Sequence, residues 1–162
     1  MSTGGMALDL EQSMRAVLQR VHQASVSIKG NITAEISRGL LVFLGIGKDE
    51  TEQDLNYLIS KIITLRAFED QHGKMNLNLQ EAGGSLLVVS QFTLYADCRK
   101  GRRPSFSDAA RPEQARSWYT RFIDVLRKEG LTVQTGSFQE MMDIALVNDG
   151  PVTFLLDSQR LF

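Results

Sequence analysis

The chain has 162 residues, of which 43% are hydrophobic, and its formal net charge is −1. This length suffices for one domain with its own core and is short for two, so the sequence predicts a single globular domain. A near-neutral total charge excludes neither nucleic acid nor a membrane surface as a partner, because a local basic patch can lie within a balanced composition.

The cysteine and histidine content argues against a metal site. Cys98 is the single cysteine, and His22 and His72 are the two histidines. These residues cannot form a zinc-ligand cluster, so no metal is expected. The apolar run at residues 39–47 is far shorter than the roughly 20 residues that span a bilayer, so no membrane contact is expected either.

The first 13 residues, MSTGGMALDLEQS, differ in character from the rest of the chain. They lack the basic segment and the continuous apolar segment of a secretory signal, and a second plausible start lies at Met14. We therefore expect residues 1–13 to be a disordered extension or an expression remnant. Residues 14–162 are expected to form the domain, and the protein is expected to be cytoplasmic.

The predicted elements begin with a β-hairpin, because apolar residues alternate on both sides of Lys29, Gly30 and Asn31. Residues 40–47, LLVFLGIG, are apolar on both faces, and their short length between glycines favours a central strand. Apolar side chains then recur at helical spacing over residues 49–68. The stretch from Thr51 to Asp54 resembles a capping box, so an amphipathic helix is predicted here.

The second half of the chain is predicted to contain one more helix between strands. SLLVVSQFTLYAD, residues 85–97, is predicted to be a strand, and a basic loop with glycine and proline comes after it. Pro112 opens an amphipathic helix that Gly130 ends. Short strands are predicted after it, around Gly150 and Pro151. The order predicts an α/β or α+β fold with a mostly antiparallel or mixed sheet and two main helices.

The basic loop is the first candidate binding surface. Arg99, Lys100, Arg102 and Arg103 lie within five positions, close to the aromatic ring of Phe106. Four cations on one loop are typical of a surface that contacts phosphates. The alternative is a solvated loop whose cations pair with neighbouring acids, and composition alone leaves both interpretations open.

The second candidate lies at the end of an apolar strand, where Ser90, Gln91, Phe92 and Thr93 come after LLVV. Strand ends commonly carry site residues, and these side chains offer hydroxyls and an amide. Thr93 is a conceivable nucleophile, although neither histidine is placed beside it by the sequence to activate it. The alternative is that these are ordinary strand residues.

The third candidate is the Gly150-Pro151 pair in VNDGPVTF. A trans peptide bond would make it an ordinary turn before an edge strand. A cis bond would instead present successive carbonyl groups on one side as a rigid pair of acceptors, with no side chain on Gly150 to cover them. The residues alone do not choose between the two.

Three motifs together identify a resemblance. MRAVLQRV at residues 14–21, SQFTLYAD at residues 90–97 and NDGPVT at residues 148–153 are similar, in order and spacing, to the motifs of D-aminoacyl-tRNA deacylases, also called D-tyrosyl-tRNA deacylases. The resemblance extends from Met14 to about Ser158. It implies hydrolysis of the ester that joins a D-amino acid to the terminal adenosine of tRNA. It also implies a homodimer with a barrel-like α/β fold and no metal or organic cofactor.

The resemblance also implies roles for individual residues. Ser90 to Thr93 are expected to form the floor of the site. Gly150 and Pro151 are expected to form a Gly-cisPro motif that reaches into the partner subunit's pocket and excludes L-amino acids, with Arg20 helping to hold it. Rejection by steric contact implies breadth across D-amino acids and cleavage of glycyl-tRNA as well.

Two mechanisms are compatible with these residues. In the first, backbone N–H groups of Phe92 and Thr93 stabilise the oxyanion, the adenosine 2′-OH assists an attacking water, and Thr93 only orients. In the second, Thr93 accepts the acyl group. Two other function classes are alternatives to this enzyme: a non-catalytic RNA-binding module that uses the basic loop, and a hydrolase of small D-amino-acid esters or peptides.

Overall fold

One mixed β-sheet with two helices on one face accounts for most of the fold. The computed structural model describes residues 13–162, so the expected extension at residues 1–13 lies, apart from Ser13, outside the described residues. The elements in chain order are β1 Met14–Ile28, β2 Asn31–Ile36, β3 Gly39–Ile46, α1 Glu52–Thr64, β4 Phe68–Glu69, β5 Met75–Leu77, β6 Ser85–Ser90, a 3-10 helix at Phe92–Tyr95, α2 Pro112–Lys128, β7 Val133–Thr135 and β8 Asp143–Asp157.

The long first strand organises the sheet. The strands lie in the order β2, β1, β3, β6, β7, and β8 pairs with β1 as well. The first half of β1 pairs with β3 and the second half pairs with β2, while β8 runs beside the other edge of β1 along nearly its whole length. The sheet therefore bends within β1, and β2 comes back towards β6 and β7. This nearly closed mixed sheet confirms the predicted fold class.

Both faces of the central strands are buried, as the continuous apolar run in β3 predicts. On one face Leu40 and Leu86 belong to the cluster that packs against the helices, and on the other face Leu41 and Leu87 belong to a smaller cluster enclosed by β1 and β2. Each large side chain buried in this way contributes roughly 1.5–3 kcal/mol. β3 and β6 pair in parallel, which suits strands covered on both faces.

The two helices form at the predicted places. The first spans Glu52–Thr64 within the predicted 49–68, and the Asp54 carboxylate accepts a 2.8 Å hydrogen bond from the backbone N–H of Thr51, as a capping box requires. The second begins at Pro112, as predicted. It buries one stripe of side chains against the sheet: Ala115, Tyr119, Phe122, Ile123 and Leu126. No helix in residues 13–162 is long and apolar enough to cross a membrane.

The strand predicted over residues 85–97 is shorter than expected. β6 ends at Ser90, and residues Phe92–Tyr95 form a 3-10 helix. The turn lies closely over Gly45, where an added Cβ would lie 2.9 Å from the Cβ of Leu94 and 3.1 Å from the ring of Tyr95. Apolar character continues through the turn, so the sequence pattern does not reveal where the strand stops.

The C-terminal region differs from the predicted short strands, because β8 is one strand of 15 residues. Both of its halves pair with the same long strand, β1, so no reversal occurs at Gly150. Instead, residues 149–152 bulge out opposite Arg20, between the pairs Gln19 with Thr153 and Val21 with Asn148. The turn residues Asp149 and Gly150 therefore form a bulge rather than a hairpin.

Candidate active site

The turn after β6 carries the four residues predicted to form the floor of the site. The backbone N–H of Gln91 donates to the Leu44 carbonyl at 2.8 Å, which fixes the start of the turn to β3. The side-chain amide of Gln91 donates to the Thr93 hydroxyl. Phe92 is 56% exposed, and Thr93 is exposed beside it. The turn therefore presents a backbone segment, a hydroxyl and an aromatic ring to the surroundings.

Two backbone N–H groups of this turn are available to a ligand. Within residues 13–162, the N–H groups of Phe92 and Thr93 donate to no backbone or side-chain acceptor. They stand at the start of a 3-10 helix, where the first N–H groups have no acceptor within the helix. Adjacent free N–H groups of this kind can stabilise a developing oxyanion.

A large groove of about 720 Å³ lies next to the turn. Its walls are mainly apolar, and the rings of Phe92 and Phe106 meet edge to face at 5.2 Å between centroids. Such a groove suits a flat aromatic group together with a few polar contacts. The groove is lined by Ile46, Val89, Ser90, Gln91, Phe92, Phe106, Ala109, Ala110, Pro112, Ala115, Phe138, Gln139, Glu140, Met141, Met142 and Ile144.

The groove wall also includes a segment that the sequence did not single out. Residues 138–142 line it, and Met141 is 92% exposed. The ring of Phe138 is held by the ring of Tyr119 at 5.9 Å and by the guanidinium of Arg116 at 5.0 Å. An aromatic residue and two methionines in an otherwise polar segment between strands were the available signal.

The Gly150-Pro151 pair lies at the tip of the β8 bulge. The bond between them is cis, and Gly150 has φ +124°, a backbone region that L-residues rarely adopt. Both residues are exposed. They are not among the residues that line the groove in their own chain, so the structure does not bring them together with Ser90 to Thr93 of that chain.

Arg20 lies beneath the bulge and is 3% exposed. Its Nε donates to the Asp149 carbonyl at 3.2 Å and lies 3.3 Å from the Asp149 carboxylate, while a second nitrogen donates to the Ala67 carbonyl at 2.8 Å. Arg20 thus contacts the residue immediately before Gly150. A buried guanidinium with several fixed acceptors has one orientation, so it supports the bulge rigidly.

The base of the bulge is closed by Gln19. Its side-chain oxygen accepts hydrogen bonds from the Asn148 amide at 3.3 Å and from the Thr153 hydroxyl at 2.6 Å. These donors are on the two sides of the bulge, immediately outside residues 149–152. One acceptor therefore joins the two ends of the projecting segment.

The basic loop divides into two parts. Arg99 forms a double hydrogen bond with the Asp97 carboxylate, both contacts at 2.9 Å, and this contact lowers the pKa of Asp97 to about 2. Lys100, Arg102 and Arg103 are exposed and form no salt bridge within residues 13–162. Charge pairing within the loop thus accounts for Arg99, whereas the other three cations are available to a phosphate.

A buried acidic group, Glu50, lies near Tyr95 of the turn. Glu50 is 8% exposed, and neither of its carboxylate oxygens has a hydrogen-bond partner in the described part of the chain. Burial, together with the nearby carboxylates of Asp54 and Asp49, raises the pKa of Glu50 to about 8. The described residues contain no group of three or more potential metal ligands.

Known proteins of similar sequence match this chain along nearly its whole length. The family model described as D-Tyr-tRNA(Tyr) deacylase matches residues 17–157. The D-aminoacyl-tRNA deacylase of Thermotoga petrophila is 55% identical over 149 residues, which are 92% of this chain and all of that protein. The D-aminoacyl-tRNA deacylase of Syntrophobacter fumaroxidans is 56% identical over the same shares of the two chains.

Two solved structures are similar to this chain. The structure of a c-Myc DNA unwinding element binding protein superposes with a TM-score of 0.83 at 40% identity, over 88% of this chain and 97% of that one. A structure of a probable eukaryotic D-amino acid tRNA deacylase superposes with a TM-score of 0.74 at 18% identity, over 90% of this chain and 99% of that one. The second likeness concerns the fold alone.

Proposed function

The chain belongs to the D-aminoacyl-tRNA deacylase family and is a hydrolase that acts on aminoacyl-tRNA. We propose that its candidate active site cleaves D-aminoacyl esters and rejects L-aminoacyl esters as follows. The observation that carries the proposal is the turn at Ser90 to Thr93, which places two free N–H groups beside an apolar groove. The reaction releases the D-amino acid and intact tRNA and so serves chiral proofreading of translation in the cytoplasm.

The groove binds the terminal adenosine. Its aromatic walls, Phe92, Phe106 and Phe138, suit stacking against a purine ring, and stacking of this kind is worth about 1–3 kcal/mol per base. Gln91, Gln139 and Glu140 supply polar groups at the same groove. Adenosine bound there brings its 3′ ester towards the turn, of which Ser90, Gln91 and Phe92 line the groove.

The N–H groups of Phe92 and Thr93 stabilise the tetrahedral intermediate. Negative charge develops on the former carbonyl oxygen when water attacks the ester, and fixed donors stabilise that charge without reorganisation. The 2′-OH next to the ester assists the attacking water. We propose that the Thr93 hydroxyl, which accepts a hydrogen bond from the side-chain amide of Gln91, orients the reacting groups and does not attack the ester.

The Gly150-Pro151 bulge acts in the site of a partner subunit. Three observations support this arrangement: the bulge is exposed, it lies outside the groove of its own chain, and the outer edge of β8 pairs with no strand in residues 13–162. That strand also exposes Leu146, Val147 and Leu155. An unpaired strand edge with apolar side chains is suited to a second copy of the chain, so we propose a homodimer.

Chirality is then read by exclusion. The backbone carbonyls of the bulge hold the substrate ammonium, and the same backbone occupies the space that an L side chain would need. Hydrogen bonds from Arg20 keep the bulge in place. A D side chain points away and is not read, so many D-amino acids are accepted. Glycine has no side chain to exclude, so glycyl-tRNA is cleaved as well.

The exposed cations of the basic loop contact the acceptor stem. Lys100, Arg102 and Arg103 come shortly after the site turn in the chain, and neutralisation of phosphates by such residues releases counterions. Their contribution is therefore sensitive to salt and indifferent to the amino acid carried.

A comparison of substrates tests this function against its alternatives. The purified protein is incubated with D-tyrosyl-tRNA, with the same tRNA ending in 2′-deoxyadenosine, and with D-tyrosine ethyl ester. We expect rapid cleavage of the first, a large loss of rate on the second, and little cleavage of the third. Comparable cleavage of the small ester would instead favour a small-ester hydrolase. Binding of the tRNA with no cleavage would favour a non-catalytic RNA-binding module.

A further inference from the structure

We propose that Arg15 is a positioning residue for the hydrolysis, because it fixes the orientation of the turn that carries the Phe92 and Thr93 N–H groups. The inference rests on the oxyanion role proposed for those groups. Arg15 is the second residue of β1 and is distant in sequence from the turn. Its side chain nevertheless bridges that turn and the end of β8.

Arg15 makes three contacts that fix the position of its guanidinium. Its Nε donates to the Asp157 carboxylate at 2.9 Å, and a terminal nitrogen donates to the Leu94 carbonyl at 3.1 Å. Its guanidinium carbon also lies 4.7 Å from the centroid of the Tyr95 ring. Two contacts therefore reach the 3-10 helix itself, one on its backbone and one on a side chain.

Asp157 holds Arg15 in place. The Asp157 side chain is fully buried, and its second oxygen accepts a 2.7 Å hydrogen bond from the backbone N–H of Gln159. A buried carboxylate with both oxygens engaged has one orientation, and loss of its cationic partner would leave it uncompensated. The guanidinium therefore has a fixed position from which to hold the Leu94 carbonyl.

The other anchors of the turn do not replace this contact. Gln91 is bonded to Leu44 at the start of the turn, and the hydroxyl of Tyr95 bonds to Ser13 at its end. Between these two points, the Leu94 carbonyl is the backbone group adjacent to Thr93 that an external side chain holds. Release of that carbonyl would let the middle of the turn rotate and misdirect the N–H groups of Phe92 and Thr93.

The variant Arg15→Lys distinguishes the geometric role of the guanidinium from the contribution of its positive charge to stability. Arg15→Lys keeps a cation for Asp157, but a single ammonium cannot also hold the Leu94 carbonyl in the same geometry and cover the Tyr95 ring. The matched control is Arg127→Lys, because Arg127 donates to the Val133 carbonyl at 2.9 Å, away from the site. Both variants remove an arginine–carbonyl bond.

The test is single-turnover cleavage of D-tyrosyl-tRNA at saturating enzyme, well below the melting temperature of each variant. We expect Arg15→Lys to lower the cleavage rate about tenfold, or 1.4 kcal/mol of barrier, with an unchanged half-saturating enzyme concentration. Arg127→Lys should keep the wild-type rate. In amide spectra, the Phe92 and Thr93 signals should shift in Arg15→Lys and not in Arg127→Lys.

Three outcomes would overturn the inference. They are a wild-type cleavage rate in Arg15→Lys, an equal loss of rate in both variants, or a change in the half-saturating enzyme concentration with no change in the rate at saturation. A second variant, Asp157→Asn, tests the same contact from its other side, because Asp157 holds Arg15. It should also slow cleavage, and the double variant should be slowed by less than the sum of the two single effects on the barrier. Full additivity would refute the coupling. Failure of the function itself would be seen separately, as an absence of D-tyrosyl-tRNA cleavage by the wild-type protein.

Discussion

Replacement of Gly150 by alanine tests the proposed chiral filter most locally. An added Cβ would lie 2.7 Å from a methyl carbon of Val152, 3.1 Å from the Val152 nitrogen and 3.3 Å from the Arg20 guanidinium. The residue also has φ +124°, which alanine rarely adopts. The bulge must therefore shift, and the shift moves the backbone that is proposed to exclude L side chains.

The backbone conformation of Gly150 and its contacts set how far the D/L cleavage ratio should fall in Gly150→Ala. Holding a non-glycine residue in such a backbone region costs roughly 1–3 kcal/mol, and the contact with Val152 adds to this cost. If the bulge relaxes to avoid this cost, the free-energy penalty that it imposes on an L side chain falls by a similar amount. Because 1.4 kcal/mol is a factor of ten, the ratio of D-tyrosyl-tRNA to L-tyrosyl-tRNA cleavage should fall about 5- to 150-fold.

The assay compares cleavage of both enantiomers by wild type, Gly150→Ala and a control. Gly30→Ala is the matched control, because Gly30 also has a positive φ, +80°, in the β1–β2 turn, and an added Cβ there meets nothing within 4 Å. It should lose some stability and keep the wild-type ratio. An unchanged ratio in Gly150→Ala would refute the proposal that this backbone excludes L substrates.

Three further predictions concern the hydroxyl, the basic loop and the buried acid. Thr93→Val should slow D-tyrosyl-tRNA cleavage only about two- to tenfold, the cost of one hydrogen bond, whereas loss beyond about a thousandfold would indicate a nucleophilic threonine. Arg102→Glu with Arg103→Glu should weaken tRNA binding and reduce the salt slope by about 1–2; unchanged affinity would mean a merely solvated loop. The pKa of Glu50 is raised from 4.5 to about 8 in the folded protein. Between these two pH values the Glu50 carboxyl is protonated in the folded state and ionised in the unfolded state, so the free energy of unfolding falls as pH rises through that range. Thermal melts of Glu50→Gln should show a smaller fall, and an identical fall would contradict the pKa.

Periodicity and turn chemistry were sufficient to predict much of the fold. The apolar run in β3, the helical spacing after Thr51 and the proline at position 112 each predicted an element that the structure contains. These signals are local, and the tertiary structure did not override them, whereas it made a bulge of the turn residues Asp149 and Gly150. The predicted end of β6 was wrong: the strand stops at Ser90, and the turn after it packs over Gly45, a residue distant in sequence.

The candidate site was predictable only in part. The position of Ser90 to Thr93 after an apolar strand made them a candidate, whereas their role as the floor of the site and the support of the bulge by Arg20 came from a resemblance. The structure gives both a geometry that sequence spacing could not. The groove wall at Phe138 and Met141 was missed because the aromatic residue and the methionines of this segment, although a signal, do not show by their spacing that they share a groove with Phe92. The pairing of Arg99 with Asp97 likewise needed the folded loop.

Chiral selection by the site is measured by the single-turnover rates of the wild-type protein on D-tyrosyl-tRNA and on L-tyrosyl-tRNA, side by side. We expect rapid cleavage of the D enantiomer and cleavage of the L enantiomer close to the rate without enzyme. Glycyl-tRNA, which has no side chain to exclude, should be cleaved in the same assay. Equal rates on the two enantiomers would show that the site does not exclude L-aminoacyl esters.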